Sequence, residues 1–203
     1  QWLSDRLAQG GQTAEVAVEF VDHELRATNA FMQAHGLTHF DAHFENLLCD
    51  GQRLYFSDFG LALSAQFDLT PNEREFLRRH CNFDRANSAL SLVISLLGGA
   101  GWEVRLRQYL QGDSERMPAT IHRLLLRDAP VALALKEFFG QLHHNKESVY
   151  PADSLAATMK GWSDVASPSF PIRKMSKICQ EFPGPGELNR AMSTAQRLNQ
   201  LMD

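Results

Sequence analysis

Residues 39–60 constrain this chain more than any other stretch. A polar run, His39-Phe40-Asp41-Ala42-His43-Phe44-Glu45-Asn46, leads into Leu47-Leu48-Cys49; Asp50-Gly51 follows, then Arg53-Leu54-Tyr55-Phe56-Ser57, then Asp58-Phe59-Gly60. Asp-Gly between two short apolar segments is a strong hairpin signal. A hairpin here folds the polar run and Asp58-Phe59-Gly60 back to one end, so residues far apart in sequence can converge.

The flanking pattern is helical. Val16, Phe20, Val21, Leu25, Phe31 and Met32 give one-sided apolar spacing, which predicts a first helix over residues 13–34 that Gly36 ends. Thr70-Pro71-Asn72-Glu73 combines a capping Thr, a Pro at the first helical position and the Glu of a capping box. Ala86, Leu90, Val93, Ile94 and Leu97 share a face, and Ala89, Leu92 and Leu96 widen it, so residues 86–97 read as a deeply buried central helix with Asp84 as a cap. Gly98-Gly99-Ala100-Gly101 stops it. Two further helices are expected, over 118–127 and after Asp128-Ala129-Pro130. Past Gly161 the Pro and Gly content rises, and residues 166–203 read as a loosely packed tail with one possible terminal helix over 187–202. The fold expected is mainly α with a small β-hairpin.

Composition removes several function classes. Twenty Lys and Arg against 24 Asp and Glu give a formal charge of −4, so no nucleic-acid-binding surface is expected. No apolar run approaches the roughly 20 residues of a membrane span, and no secretory signal opens the chain. Cys49, Cys81 and Cys179 are odd in number and widely spaced, which suits reduced thiols in a cytoplasmic protein rather than a disulfide framework or a zinc ribbon.

The Asp41-x-x-x-x-Asn46 spacing, the hairpin and Asp58-Phe59-Gly60, in that order, resemble the catalytic loop and magnesium motif of the protein-kinase-like superfamily, which includes protein kinases and aminoglycoside phosphotransferases. Taken singly, such Asp and Asn residues are ordinary caps and turn formers; the ordered set is what carries the likeness. The resemblance implies a kinase-like C-terminal lobe over residues 1–165 and an ATP-dependent phosphotransferase. Its cofactors would be ATP and Mg²⁺, and its acceptor a hydroxyl of a protein or a small molecule. By the same resemblance Asp41 would accept the hydroxyl proton, and Asn46 and Asp58 would hold the metal. Leu48 would support the adenine from below, Phe59 would pack beneath the site, and Gly60 would let the backbone turn sharply after Asp58. The oxygen ligands suit a hard cation that keeps part of its water. His43, a second catalytic candidate, stands where protein kinases commonly carry Lys and small-molecule phosphotransferases carry His, while Ser57-Asp58-Phe59-Gly60 looks more like the protein-kinase branch.

The chain also departs from the family. Phe40 replaces an Arg that in many protein kinases pairs with an activation-segment phosphate, and no Ala-Pro-Glu lies between Gly60 and Asp84. Only 38 residues precede His39, with no Gly-x-Gly-x-x-Gly among them. The N-terminal lobe is therefore expected to be absent, the chain to be a piece of a longer protein beginning at Gln1, and activity to be low. A partner would then cover the open face. Asp84 also fits the family's Asp that opens the central helix and holds the catalytic loop from beneath. Two other readings stay open. One is a non-catalytic pseudokinase-type binding module. The other takes His39-x-Asp41-x-His43 as the metal site of a hydrolase. His39 itself reads as a structural histidine bonded to the loop backbone, and His143-His144 as a solvated helix end.

Overall fold

A computed structural model describes residues 2–112, 117–145 and 148–159. The expected tail over 166–203, its terminal helix and Cys179 lie outside the described residues. Within them the protein is mainly helical, with two small antiparallel sheets of two strands each.

Helix α1 (Trp2–Gln9) precedes α2 (Gly11–Ala34). Gly10 and Gly11 form the corner between them, with φ of 68° and 54°, and the Trp2 ring meets Phe20 edge-on at 5.4 Å. The long helix was legible from its apolar spacing; α1 was not, because so short a helix holds only by docking on its neighbour. Val18, Val21, Leu25 and Met32 are buried along α2. The helix ends where His35 N–H donates to the carbonyls of Phe31 and Met32, and Gly36 follows with φ 66°.

Gly36 has a second task. Its carbonyl accepts from Ala65 N–H at 2.8 Å, and this contact brings strand β4 (Leu63–Ser64) alongside β1 (Leu37–Thr38), with Leu37 opposite Ser64. Strands β2 (Leu47–Cys49) and β3 (Leu54–Phe56) form the expected hairpin, Leu47 facing Phe56 and Leu48 facing Tyr55. The Asp50 carboxylate builds its turn, accepting from the N–H groups of Gln52 and Arg53 at 2.8 and 2.7 Å.

Helix α3 (Pro71–Arg79) carries the complete capping box on Thr70 and Glu73. Helix α4 (Phe83–Leu96) is the core: Ala86, Ala89, Leu92 and Val93 are fully buried. Helix α5 (Trp102–Gln111), which sequence patterning did not reveal, is anchored by Trp102 and Leu106. Its Arg105 gathers the carbonyls of Leu97, Gly99 and Ala100 at 2.5, 3.2 and 2.5 Å.

The two helices expected around Pro130 are one, α6 (Ala119–His144). Proline removes one backbone bond from a helix interior. Pro130 and Leu126, whose carbonyl loses that partner, both face solvent, so water can replace the bond. On the other side Leu124, Leu125, Val131, Ala132 and Leu135 stay buried in the core. Arg127 ties α6 to α2, donating to both oxygens of Asp22 at 3.0 and 2.6 Å and to Asp128 at 2.7 Å. Helix α7 (Ala152–Thr158) closes the described body through Leu155.

A Cβ at position 36 would stand 2.8 Å from the Ala65 Cβ, in a left-handed conformation that costs an L-residue roughly 1–2 kcal/mol even without a clash. Gly36→Ala is expected to lower stability by at least about 2 kcal/mol in urea denaturation, and Ala65→Gly in the same chain to recover the part due to the clash.

Candidate functional site

The loop from His39 to Asn46 leaves β1, enters a 3-10 turn at Phe44–Asn46 and runs into β2. One carboxylate organises its start. Asp84, on the first turn of α4 and buried, accepts the backbone N–H of His39 at 2.6 Å and that of Phe40 at 2.9 Å. The helix N-cap is Asn82, without a side-chain cap bond, so Asp84 serves the loop rather than its own helix. Burial pushes the Asp84 carboxyl up to about 7, against the two N–H donors that favour its anion.

The backbone is strained at two points, and both are here. Phe40 has φ 63° and Asp58 φ 54°, the two non-glycine residues with positive φ among the described ones. A bulky side chain in that region is a real outlier. Asp84's hold on the Phe40 amide and the packing of its ring against Phe76 at 5.4 Å and Phe83 at 5.7 Å offset the cost. Phe40 is thus an apolar core residue where the resemblance would place Arg.

His39 lies fully buried beneath the site. Its Nε2 is 2.9 Å from the Ser57 carbonyl, and its Nδ1 accepts from the Asp41 N–H at 3.2 Å. A carbonyl can only accept and an amide N–H only donate, so the imidazole is the neutral Nε2–H tautomer. Burial lowers its pKa, and the nearby charges of Asp41 and Asp58 pull the other way without reversing the shift. Because both ring nitrogens are engaged, His39 cannot join Asp41 and His43 in a metal site, and the hydrolase reading loses its first ligand. Among the described residues no group of three or more His, Cys, Asp or Glu side chains is arranged to hold a metal.

Asp41, His43 and Asn46 meet directly. Asn46 Nδ2 donates to the Asp41 carbonyl at 3.0 Å and to its Oδ2 at 2.8 Å, and His43 Nε2 lies 3.2 Å from Asp41 Oδ1. His43 Nδ1 accepts from Glu45 N–H at 3.2 Å, capping the 3-10 turn. Ser57 fastens the far strand to this group: its N–H and its hydroxyl both donate to the Asn46 carbonyl, at 2.9 and 3.0 Å. Asp58, next in sequence, is exposed at the same end of the hairpin. The motif alone does not reveal this role of Ser57; its signal in the sequence is a small hydroxyl residue between an apolar strand and an acidic turn.

The sharp turn falls on Asp58 itself, not on Gly60. Gly60 N–H donates to Asp58 Oδ1 at 3.3 Å, and a Cβ at Gly60 would come within 3.2 Å of that oxygen, a tight contact that the exposed Asp58 side chain would have to relieve. Phe59 packs on the His39 ring at 4.6 Å and on Met32, Leu37 and Ala62. Leu48 and Tyr55, paired across the hairpin, point outward with 59% and 43% exposure. Two apolar neighbours on a solvent face are unusual for a hairpin whose other face is in the core. Asn46 carries an amide oxygen and Asp58 an exposed carboxylate, donors of the type that a hard cation takes.

Comparison with protein-family models, with curated proteins and with solved structures found no match for this chain.

Replacing Asp84 by Asn turns an amide NH₂ toward one of two backbone donors, and Asp84→Asn is expected to destabilise the protein by about 1–3 kcal/mol. The pH dependence is more telling. Asp84 has an ordinary value of 3.8 and a folded value of about 7, so between those pH values the folded state keeps a proton that the unfolded chain releases. The group's contribution to stability therefore falls as pH rises through this window, by up to about 4 kcal/mol. His39 acts oppositely, since the unfolded chain takes up its proton first below pH 6.5, but this part is common to both proteins. The stability advantage of wild type over Asp84→Asn is expected to shrink from pH 5 to pH 8 in urea titrations.

Proposed function

We propose that the chain contains the catalytic lobe of an ATP-dependent phosphotransferase of protein-kinase-like type, acting on a hydroxyl. The observation that carries this reading is the bonding of Asn46 to Asp41 and of Ser57, the residue before Asp58, to Asn46, above a buried neutral His39 and with the loop amides held by Asp84. Each part answers a need of phosphoryl transfer, which asks a protein mainly for positioning and for charge stabilisation.

Asp41 orients the acceptor hydroxyl and takes its proton as the hydroxyl oxygen bonds to the γ-phosphorus. The bond from that phosphorus to the β–γ bridging oxygen breaks, and ADP leaves with the electron pair. Asn46 Oδ1 and Asp58 would hold Mg²⁺, whose chemistry is to neutralise phosphate charge. Leu48 offers an apolar contact to the adenine ring. His39 holds the strand end at Ser57 and the loop at Asp41 in fixed relation. The absence of any Gly-rich phosphate cradle among the described residues implies weak nucleotide binding without a further ATP-binding part.

A second reading, a non-catalytic binding module, draws on the same exposed pair, Leu48 and Tyr55, as a surface for a protein partner. The two separate on chemistry. Titration of MgATP into the 203-residue chain is expected to shift the NMR signals of Asn46, Leu48 and Asp58 with a millimolar Kd, weakened about tenfold by Asp58→Ala. Joined to a β-rich ATP-binding lobe, the chain is expected to turn over ATP, and Asp41→Asn to reduce kcat about 10²–10⁴-fold. Nucleotide-independent behaviour throughout would leave the binding module standing and the phosphotransferase refuted.

A further inference from the structure

Two donors in the loop converge on one carboxylate. The backbone N–H of Glu45 donates to His43 Nδ1 at 3.2 Å, so in the neutral imidazole that nitrogen carries the lone pair and Nε2 carries the proton. That proton faces Asp41 Oδ1, 3.2 Å from Nε2. The orientation of Asn46 follows by the same reasoning. Its inward-facing end meets two acceptors, the Asp41 carbonyl at 3.0 Å and Oδ2 at 2.8 Å, so this end is the NH₂ group and the amide oxygen is turned away. His43 Nε2 and Asn46 Nδ2 are only 3.3 Å apart. Two donors have nothing to offer one another, and the carboxylate is what both satisfy.

We propose that His43 and Asn46 form a two-donor fork that holds the Asp41 carboxylate in one orientation, with His43 a positioning residue and not the group that takes the proton. The proposal deepens the phosphotransfer reading and rests on it for Asp41's role. The fork reproduces, from two side chains, the paired N–H geometry with which a guanidinium grips a carboxylate. An ionised carboxylate has about four lone-pair sites, so each oxygen keeps one for an acceptor hydroxyl. Asn46 would then serve both sides of the reaction, its nitrogen holding the base and its oxygen left to take the cation. His43 is 32% exposed and Asp41 16% exposed in their side chains, which keeps the fork at the edge of the loop, where a substrate can reach it.

Two substitutions separate the halves of the histidine. The amide of Gln can reproduce the donor at Nε2, and the side chain of Asn the acceptor at Nδ1. In NMR of the nucleotide-free 203-residue chain, His43 is expected as the Nε2–H tautomer, its proton exchanging at least about tenfold faster in Asp41→Ala. Asp41 Hα–Hβ couplings are expected to report a single χ1 rotamer in wild type and in His43→Gln, and averaging in His43→Asn. An Nδ1–H tautomer, exchange unchanged in Asp41→Ala, or an Asp41 that stays fixed in His43→Asn would each overturn the fork. If wild type behaves as expected yet the lobe-joined protein shows no ATP turnover, the fork stands and the phosphotransfer reading falls.

Discussion

Everything at the candidate site depends on a carboxylate that never reaches it. Asp84 accepts the amides of His39 and Phe40, and those two bonds, with the packing of the Phe40 ring, hold Phe40 in a left-handed conformation. At that conformation the Phe40 ring lies in the aromatic packing with Phe76 and Phe83, while Asp41, next in the chain, keeps part of its side chain accessible. An unpaired buried N–H costs about 1–3 kcal/mol, as much as the strain itself, so the bonds and the strained residue form one unit. The neighbouring carboxylate of Asp41 adds to the pressure that raises the Asp84 pKa. Holding two acids close is thus part of what the site demands of the fold.

Above this anchor the site is layered. His39 joins the loop to the hairpin through its two ring nitrogens, and Phe56 and Phe59 flank its ring at 5.3 and 4.6 Å. Ser57 locks the hairpin end to Asn46, and Asn46 in turn reaches Asp41. The residues with chemistry to offer are therefore attached to one another through side chains that have none, and most of these bonds run between side chain and backbone. Such bonds fix position without adding charge.

Much of this was legible in the sequence, and for a physical reason. Features encoded locally were found where expected: the Asp50-Gly51 turn, the Thr70–Glu73 capping box, the apolar face of α4 and the structural character of His39. Features that depend on distant partners were missed or misread. Helix α5 is held by Trp102 and Leu106 inside a core that no local pattern announces. Pro130 looked like a boundary because propensity penalises it, yet it lies on a solvent face where the lost bond is tolerated. Gly60 looked like a hinge, but the turn residue is Asp58. The geometry of the Asp41, His43 and Asn46 group was latent in the spacing, whereas the assignment of donors and acceptors required coordinates.

The central helix has a polar side chain in attendance at each of its two ends, and this bears on how the halves of the molecule are joined. A helix carries partial positive charge at its N-terminus and negative charge at its C-terminus. Asp84 lies on the first turn of α4, and the Arg105 guanidinium closes on the carbonyls of Leu97, Gly99 and Ala100 just past the last. The guanidinium complements the macrodipole, as Asp84 does once ionised, and both side chains also hold a segment foreign to the helix, the His39–Asn46 loop at one end and α5 at the other. Fourteen residues of helix make a rod of about 21 Å. Helix α4 is in that sense a strut with a polar fitting at each end, carrying the position of α5 to the loop through a single rigid member.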